Sequence, residues 1–154
     1  MASDFAAYAT VDRDLSRVLE FTPGTSSNAF VVGSLVVFTS NEARLCGADP
    51  ASILGLSEVD SVKNALITPD GKVPVLVLNP GTVVAMCSAT TYDDATHRGV
   101  AYGVVKLASG NWAVDTSDTS ATRVVVVGGL NTNGQNIFFV RFLAANLQLD
   151  AIAS

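Results

Sequence analysis

The chain has 154 residues, of which 49% are hydrophobic and only 15% are charged, and its net charge is −5 at pH 7. An ordinary soluble domain carries roughly 25% charged residues, so this surface is poor in charge and we expect other protein to cover part of it. No run reaches the roughly 18 uninterrupted apolar residues of a membrane-spanning helix, so we expect no membrane partner. No cluster of Lys and Arg offers a site for phosphates, so we expect no nucleic-acid partner.

The first 28 residues differ from the rest and predict an N-terminal arm followed by a linker. The start, MASDFAAYATVDRD, lacks the basic and continuous apolar regions of a secretory signal, so we expect synthesis in a cytoplasm. Val11, Leu15, Val18 and Leu19 fall at helical spacing, which predicts either a short amphipathic helix or an extended arm. The turn-forming residues 22–28, TPGTSSN, predict a linker. We therefore expect residues 1–28 to be separable from one β domain at residues 29–154.

From residue 29 onward the sequence is typical of an all-β domain, because short runs rich in Val, Phe, Leu and Thr alternate with Gly, Pro, Asn and Asp. Tight turns are predicted at TPDGK (68–72), at NPGT (79–82, type II) and at Asn133-Gly134, so neighbouring strands should pair antiparallel. A short helix is possible at residues 60–66. This pattern predicts a small antiparallel β-barrel or sandwich. The predicted strands are residues 29–39, 51–59, 72–78, 82–90, 99–107, 122–130 and 136–144, with shorter pieces near Glu42 and Trp112.

One stretch, residues 71–87 (GKVPVLVLNPGTVVAMC), has no polar face. A strand buried on one side alternates apolar and polar residues, so this run predicts cover on both faces, from a second sheet or from a neighbouring molecule. Pro74 has no N–H for a ladder, which predicts an edge or a bulge at that point. An apolar edge must be covered, so we expect an oligomer interface at Val73, Val75 and Val77.

The sequence contains no motif that supports catalysis. His97, the one histidine, follows Asp93 and Asp94 in TYDDATHRG, where an acid–base or metal site would use a carboxylate and the imidazole. A solvated turn explains the same residues, so we expect no functional site there and no effect of His97→Ala on folding or assembly. Cys46 and Cys87 form no CxxC pattern and predict buried free thiols, although a pairing of either with His97 stays open. We expect no enzyme, no cofactor and no bound metal.

The order of GSLVVF, ILGLSEVD and GKVPVLVLNPGTVVAM across residues 33–86 resembles the small head-decoration (cement) proteins of tailed bacteriophages. This resemblance implies a compact β-barrel or β-tulip with an N-terminal arm, assembled as a homotrimer on the outer surface of the virion capsid. It implies the major capsid protein and further copies of the chain as partners. Two alternatives stay open: a tail or neck component, and a small β-barrel ligand-binding module or enzyme. The arm would contact the capsid or a neighbouring copy through its apolar side chains, Phe5, Tyr8, Val11, Leu15, Leu19 and Phe21.

Overall fold

The computed structural model describes residues 17–24, 31–58 and 72–148, and strands make up about half of this part of the chain. One short helix, α1 (Asp94–His97), and a 3₁₀ turn at Ala144–Asn146 complete the regular structure of these residues. The all-β class predicted from the sequence is confirmed. In chain order the strands are β1 (Arg17–Phe21), β2 (Leu35–Thr39), β3 (Glu42–Leu45), β4 (Gly55–Ser57), β5 (Val73–Val77), β6 (Val83–Ser88), β7 (Ala101–Lys106), β8 (Trp112–Asp115), β9 (Val124–Thr132) and β10 (Gln135–Phe142).

Strands β6 to β10 form a closed ring in the order β10-β6-β8-β7-β9, which we call the C-terminal ring. Its pairs are antiparallel except for β6 and β8, which run parallel where Cys87 and Ser88 face Ala113 and Val114. A ring with an odd number of strands cannot alternate direction all the way round, so at least one parallel pair is required. The expected antiparallel pairing of neighbouring strands holds for the hairpins β2–β3, β7–β8 and β9–β10. It is wrong for β5 and β6, which residues 79–82 connect but which pair with other strands.

Strands β1 to β5 form the N-terminal sheet, in the order β1-β5-β4-β2-β3, with antiparallel pairs throughout. Beyond β1, the Gly24 N–H donates to the Ala43 carbonyl at 2.9 Å, and the Ala43 N–H donates to the Thr22 carbonyl at 2.8 Å. These bonds join the two edge strands β1 and β3, so the sheet curls back on itself. Residues 17–24, which the sequence assigned to the arm and linker, are part of the folded body, and a helix at Arg17–Phe21 is wrong.

Strand β5 shows what covers the long apolar run. Val73, Val75 and Val77 lie in a core cluster inside the N-terminal sheet, whereas Leu76 and Leu78 belong to the larger core shared with the C-terminal ring. Alternate side chains of the strand therefore enter two different cores of the same chain, which explains the missing polar face.

Pro74 lies in an interior strand, so the predicted edge is wrong: β5 pairs with β1 on one side and β4 on the other. The Pro74 carbonyl accepts from the N–H of Glu58, the residue after the end of β4 at Ser57, at 3.0 Å. The nitrogen and the carbonyl of one strand residue face the same neighbouring strand, so the Pro74 nitrogen also lies beyond the end of β4. The proline therefore removes no hydrogen bond between β4 and β5.

Two of the predicted turns fall in the described residues. Asn133 and Gly134 both have positive φ, 49° and 75°, so the predicted hairpin turn between β9 and β10 is confirmed. At residues 79–82 the Thr82 N–H donates to the Asn79 carbonyl at 3.1 Å, but Gly81 is not in the positive-φ region, so the turn is not type II. The helix predicted at residues 60–66 and the turn start at residues 68–71 lie outside the described residues.

Polar contacts tie the two halves together. Arg123, next to β9, donates to the Pro50 carbonyl and forms an ion pair with Asp49 at 3.0 Å. The Gln148 side chain accepts from the Phe38 N–H at 2.7 Å and donates to the Phe38 carbonyl at 2.8 Å, as a neighbouring strand would. The segment after β10 thus returns to the N-terminal sheet and holds it against the C-terminal ring.

Candidate interaction surface

Strand β1 carries the two most exposed large apolar side chains of the described residues, Val18 at 47% and Leu19 at 41%. Phe21, two residues after Leu19 on the same face of the strand, is half-buried and its ring lies 5.5 Å from that of Phe38. Val18 points to the opposite face of the strand, so the exposed apolar side chains lie on both sides of β1. We call Val18, Leu19, Phe21 and Phe38 together the β1 surface. Of the contact residues predicted from the sequence, Leu19 is exposed and Phe21 is partly exposed. The remaining four, Phe5, Tyr8, Val11 and Leu15, lie outside the described residues.

The backbone of β1 shows which of its edges faces away from β5. Because the Pro74 carbonyl bonds Glu58 in the direction of β4, the residue opposite Pro74, Glu20, turns its own backbone groups away from β5. This direction alternates along a strand, so Val18 turns the same way, as do the residues at 22 and 24 that bond β3. At Val18, no strand of the described chain pairs with this edge. The β1 surface therefore combines exposed apolar side chains with a backbone that, at Val18, pairs with no strand of the described residues.

The three valines assigned to an oligomer interface are core residues. Val73, Val75 and Val77 are 1%, 0% and 6% exposed within the single chain. They pack with Val36 and Leu54 inside the curled N-terminal sheet. Of the two sources of cover that the sequence left open, the same chain provides it, so these three side chains are not available for an oligomer interface.

His97 ends the helix α1 and is buried against aromatic rings, so the solvated turn expected from the sequence is wrong at this residue, and His97→Ala should affect stability. Its ring centroid lies 5.2 Å from that of Phe138 and 5.9 Å from that of Tyr92, and its Nδ1 accepts from the Asp93 N–H at 2.9 Å. The Asp93 carboxylate caps the helix by accepting from the Thr96 N–H at 3.1 Å. Asp94 pairs with Arg98 at 2.9 Å in an exposed ion pair. These groups lie close together, but each contact described here stabilises the short helix or its packing. That these three residues form no functional site stays a prediction, which mutagenesis can test.

The two cysteines are free and buried, as predicted. Burial raises the pKa of Cys46 to about 12 and also raises the pKa of Cys87, so both thiols resist ionisation and are poor nucleophiles. Among residues 17–24, 31–58 and 72–148, no three His, Cys, Asp or Glu side chains lie close enough to hold a metal ion. No helix in the described part of the chain has the length and apolar character needed to cross a membrane.

A pocket of about 290 Å³ lies on the C-terminal ring, where β6 and β8 continue into loops. One wall is apolar and includes Val105 and Ala113, and the opposite end carries Asp115 and Ser117. The hydroxyls of Thr90 and Thr116, which also line the pocket, are hydrogen-bonded to each other. Sequence reasoning missed this pocket, because its residues come from three strands and share no motif.

No family model, curated protein or solved structure matches the chain. The geometry above and the sequence resemblance are therefore the grounds for a functional proposal.

Proposed function

We propose that this chain is a virion structural protein that binds the outer surface of a tailed-phage capsid and stabilises the shell, with the major capsid protein as its partner. The observation that carries the proposal is the β1 surface. Strand β1 is fastened to the body through β5 and through the bonds of residues 22–24 to β3, yet its own apolar side chains stay exposed. A rigid body that presents an apolar strand edge is suited to docking on another protein.

The sequence before β1 contains further large apolar residues. Phe5, Tyr8, Val11 and Leu15 precede β1 in the sequence within a short segment. Full burial of a Val or Leu side chain contributes about 1.5–3 kcal/mol, so covering the exposed part of Val18 or Leu19 contributes about 1 kcal/mol each. Two such side chains do not hold a protein on a shell, and an additional anchor of four apolar residues is consistent with what a stable contact requires.

A binding assay with matched surface variants tests the proposal. Shells assembled from the major capsid protein of the same phage, without decoration, are mixed with purified chain and sedimented. We expect wild type to co-sediment and to raise the melting temperature of the shells. The double variant Val18→Asp, Leu19→Asp should lose at least about tenfold in affinity, since it removes apolar contacts and places charges in the interface.

The control for this assay is Leu130→Asp. Leu130 lies on β9 in the C-terminal ring and is 39% exposed, nearly as much as Leu19, so the substitution is matched in chemistry and exposure. It should bind shells as wild type does, and circular dichroism should show that both variants keep their β structure. Full decoration by the β1 double variant would contradict the proposal.

The structural alternative is a tail or neck component, which would use the same kind of surface on a different ring of proteins. Separating heads from tails of the virion and detecting the chain by mass spectrometry distinguishes the two. Our proposal expects the chain in the head fraction at a copy number comparable with the lattice. Finding the chain only with tails would contradict the capsid proposal and would make a tail protein the expected partner of the β1 surface.

A further inference from the structure

The pocket on the C-terminal ring has an apolar wall that reaches the surface. Val105 of β7 faces Ala113 of β8 in the strand register, and Leu107 continues the wall beyond β7. Val105 is 38% exposed, although its neighbours Val104 and Ala113 are buried. Two small side chains, Ala89 and Ala113, are also part of the lining. A slender apolar chain can lie along this wall.

The end of the pocket carries one carboxylate in a fixed position. Asp115 Oδ1 accepts from the Ser117 N–H at 3.0 Å and from the Ser117 hydroxyl at 2.6 Å, which orients the side chain. These two bonds use Oδ1, and no lysine or arginine of the described chain forms an ion pair with Asp115. The second oxygen, Oδ2, can therefore receive a donor from outside the chain.

The same tripeptide follows at once in the sequence and serves as an internal comparison. Asp118 Oδ1 accepts from the Ser120 N–H at 3.0 Å and from the Ser120 hydroxyl at 3.1 Å, so the two Asp-Thr-Ser turns are alike. Hydrogen bonds from the backbone of Ala121 and then of Ser120 lower the pKa of Asp118. Asp118, however, lies over Gly103 and does not line the pocket. Gly103 is the partner of Asp115 in the strand register, so Asp118 lies next to this end of the pocket without lining it.

We propose that this pocket binds a lysine side chain presented by a partner protein. The four-carbon stem of lysine lies along Val105, Leu107 and Ala113, while its ammonium group pairs with Asp115. An ammonium has three N–H donors, and the hydroxyl oxygens of Thr90 and Thr116 on the same pocket offer further acceptors. A compact ammonium fits a single free carboxylate oxygen, whereas the planar fork of a guanidinium gains its full geometry only against two oxygens.

Charge complementarity supports a cationic occupant. The chain carries a net charge of −5, so a partner that presents lysine is attracted to it before contact. The inference is independent of the proposed function, because the pocket lies on the C-terminal ring and shares no residue with the β1 surface. Failure of capsid binding by the β1 variants would leave it unchanged.

The test uses the full chain and two small probes. Nα-acetyl-lysine methylamide carries the stem and the ammonium, and Nα-acetyl-norleucine methylamide carries an apolar chain without the charge. In a titration followed by amide NMR shifts, we expect the lysine probe to shift Val105, Ala113 and Asp115 in a saturable way, with a Kd on the order of 1 mM. The norleucine probe should not saturate, and added salt should weaken the lysine probe.

Asp115→Asn removes the charge and keeps an oxygen that can accept from Ser117, so the turn should persist while affinity for the lysine probe falls roughly fivefold or more. Asp118→Asn makes the same change in the neighbouring turn, which does not line the pocket, and should lower the affinity clearly less than Asp115→Asn does. Equal binding of the two probes, equal loss in the two variants, or no saturable shift with the lysine probe would each overturn the proposal. Stronger binding of a neutral sugar, tested with methyl glucoside, would overturn it too.

Discussion

Replacing Val75 with alanine tests whether the apolar face of β5 is core or interface. Val75 is fully buried within the single chain, in the cluster that also contains Val36 and Leu54. The substitution removes two methyl groups, which costs about 0.8 kcal/mol each in transfer free energy, and leaves a cavity that adds to this. We expect the free energy of unfolding to fall by about 2 kcal/mol, which is a drop of about 4–8 °C in Tm for a chain of this size.

The measurement is urea unfolding of wild type and Val75→Ala at several protein concentrations, with Val105→Ala as the control. Val105 is the same residue type in a strand but is 38% exposed, so its truncation should change stability by less than about 0.5 kcal/mol. A core role predicts a loss that does not depend on protein concentration. A Val75→Ala variant with wild-type stability as a monomer, or a loss that vanishes at high concentration, would refute the reasoning and restore the interface.

Three further predictions concern the histidine, a cysteine and the N-terminus. His97→Ala should lower the free energy of unfolding by about 1–3 kcal/mol in urea, because it removes buried ring contacts, yet should not change co-sedimentation with shells; a loss of binding by folded protein would reveal a functional role. Burial raises the pKa of Cys46 from 9.0 in the unfolded chain to about 12, so its contribution is fully present below pH 9 and is lost as the pH rises toward 12. Unfolding curves should therefore fall more steeply with pH for wild type than for Cys46→Ala, by up to about 1.4 kcal/mol per pH unit, and parallel curves would contradict this. Deleting residues 1–16 should preserve the β circular dichroism and the Tm, whereas deleting residues 1–21 removes the partner of β5 and should lower the Tm sharply; equal stability of the two truncations would show that β1 adds nothing to the fold.

Local patterns in the sequence were sufficient to predict most of the C-terminal ring. Its hairpins have short connections and clear turn residues, and Asn133-Gly134 places the β9–β10 turn where the structure has it. Local patterns do not predict how the ring closes. The parallel pairing of β6 with β8 joins strands that are separated in the chain by another strand, β7. The short helix α1 escaped prediction because its four residues, capped by Asp93, are too few to show a period.

Strand β1 shows why the N-terminal segment was misjudged. The helical spacing is present at Val11, Leu15, Val18 and Leu19. Arg17–Phe21 is nevertheless a strand, because all five of its residues pair with β5. Tertiary pairing overrides so weak a local preference. The same limit applies to Val73, Val75 and Val77: a run without a polar face demands cover on both sides, but a single sequence cannot tell cover by the same chain from cover by another copy.

The candidate surfaces were predicted in part. Leu19 and Phe21 were singled out for their apolar character, and Leu19 is indeed exposed beside Val18. Phe38 and the pocket around Asp115 were not, because each depends on residues from different strands meeting in space.

A cryo-electron microscopy map of the mature virion would show where the chain binds. We expect density for its β body on the outside of the head, repeated with the capsid lattice, with the β1 surface turned toward the shell and the C-terminal ring farther out. Density for the chain at the tail or neck, or a lattice position in which Val18 and Leu19 face solvent, would contradict this expectation.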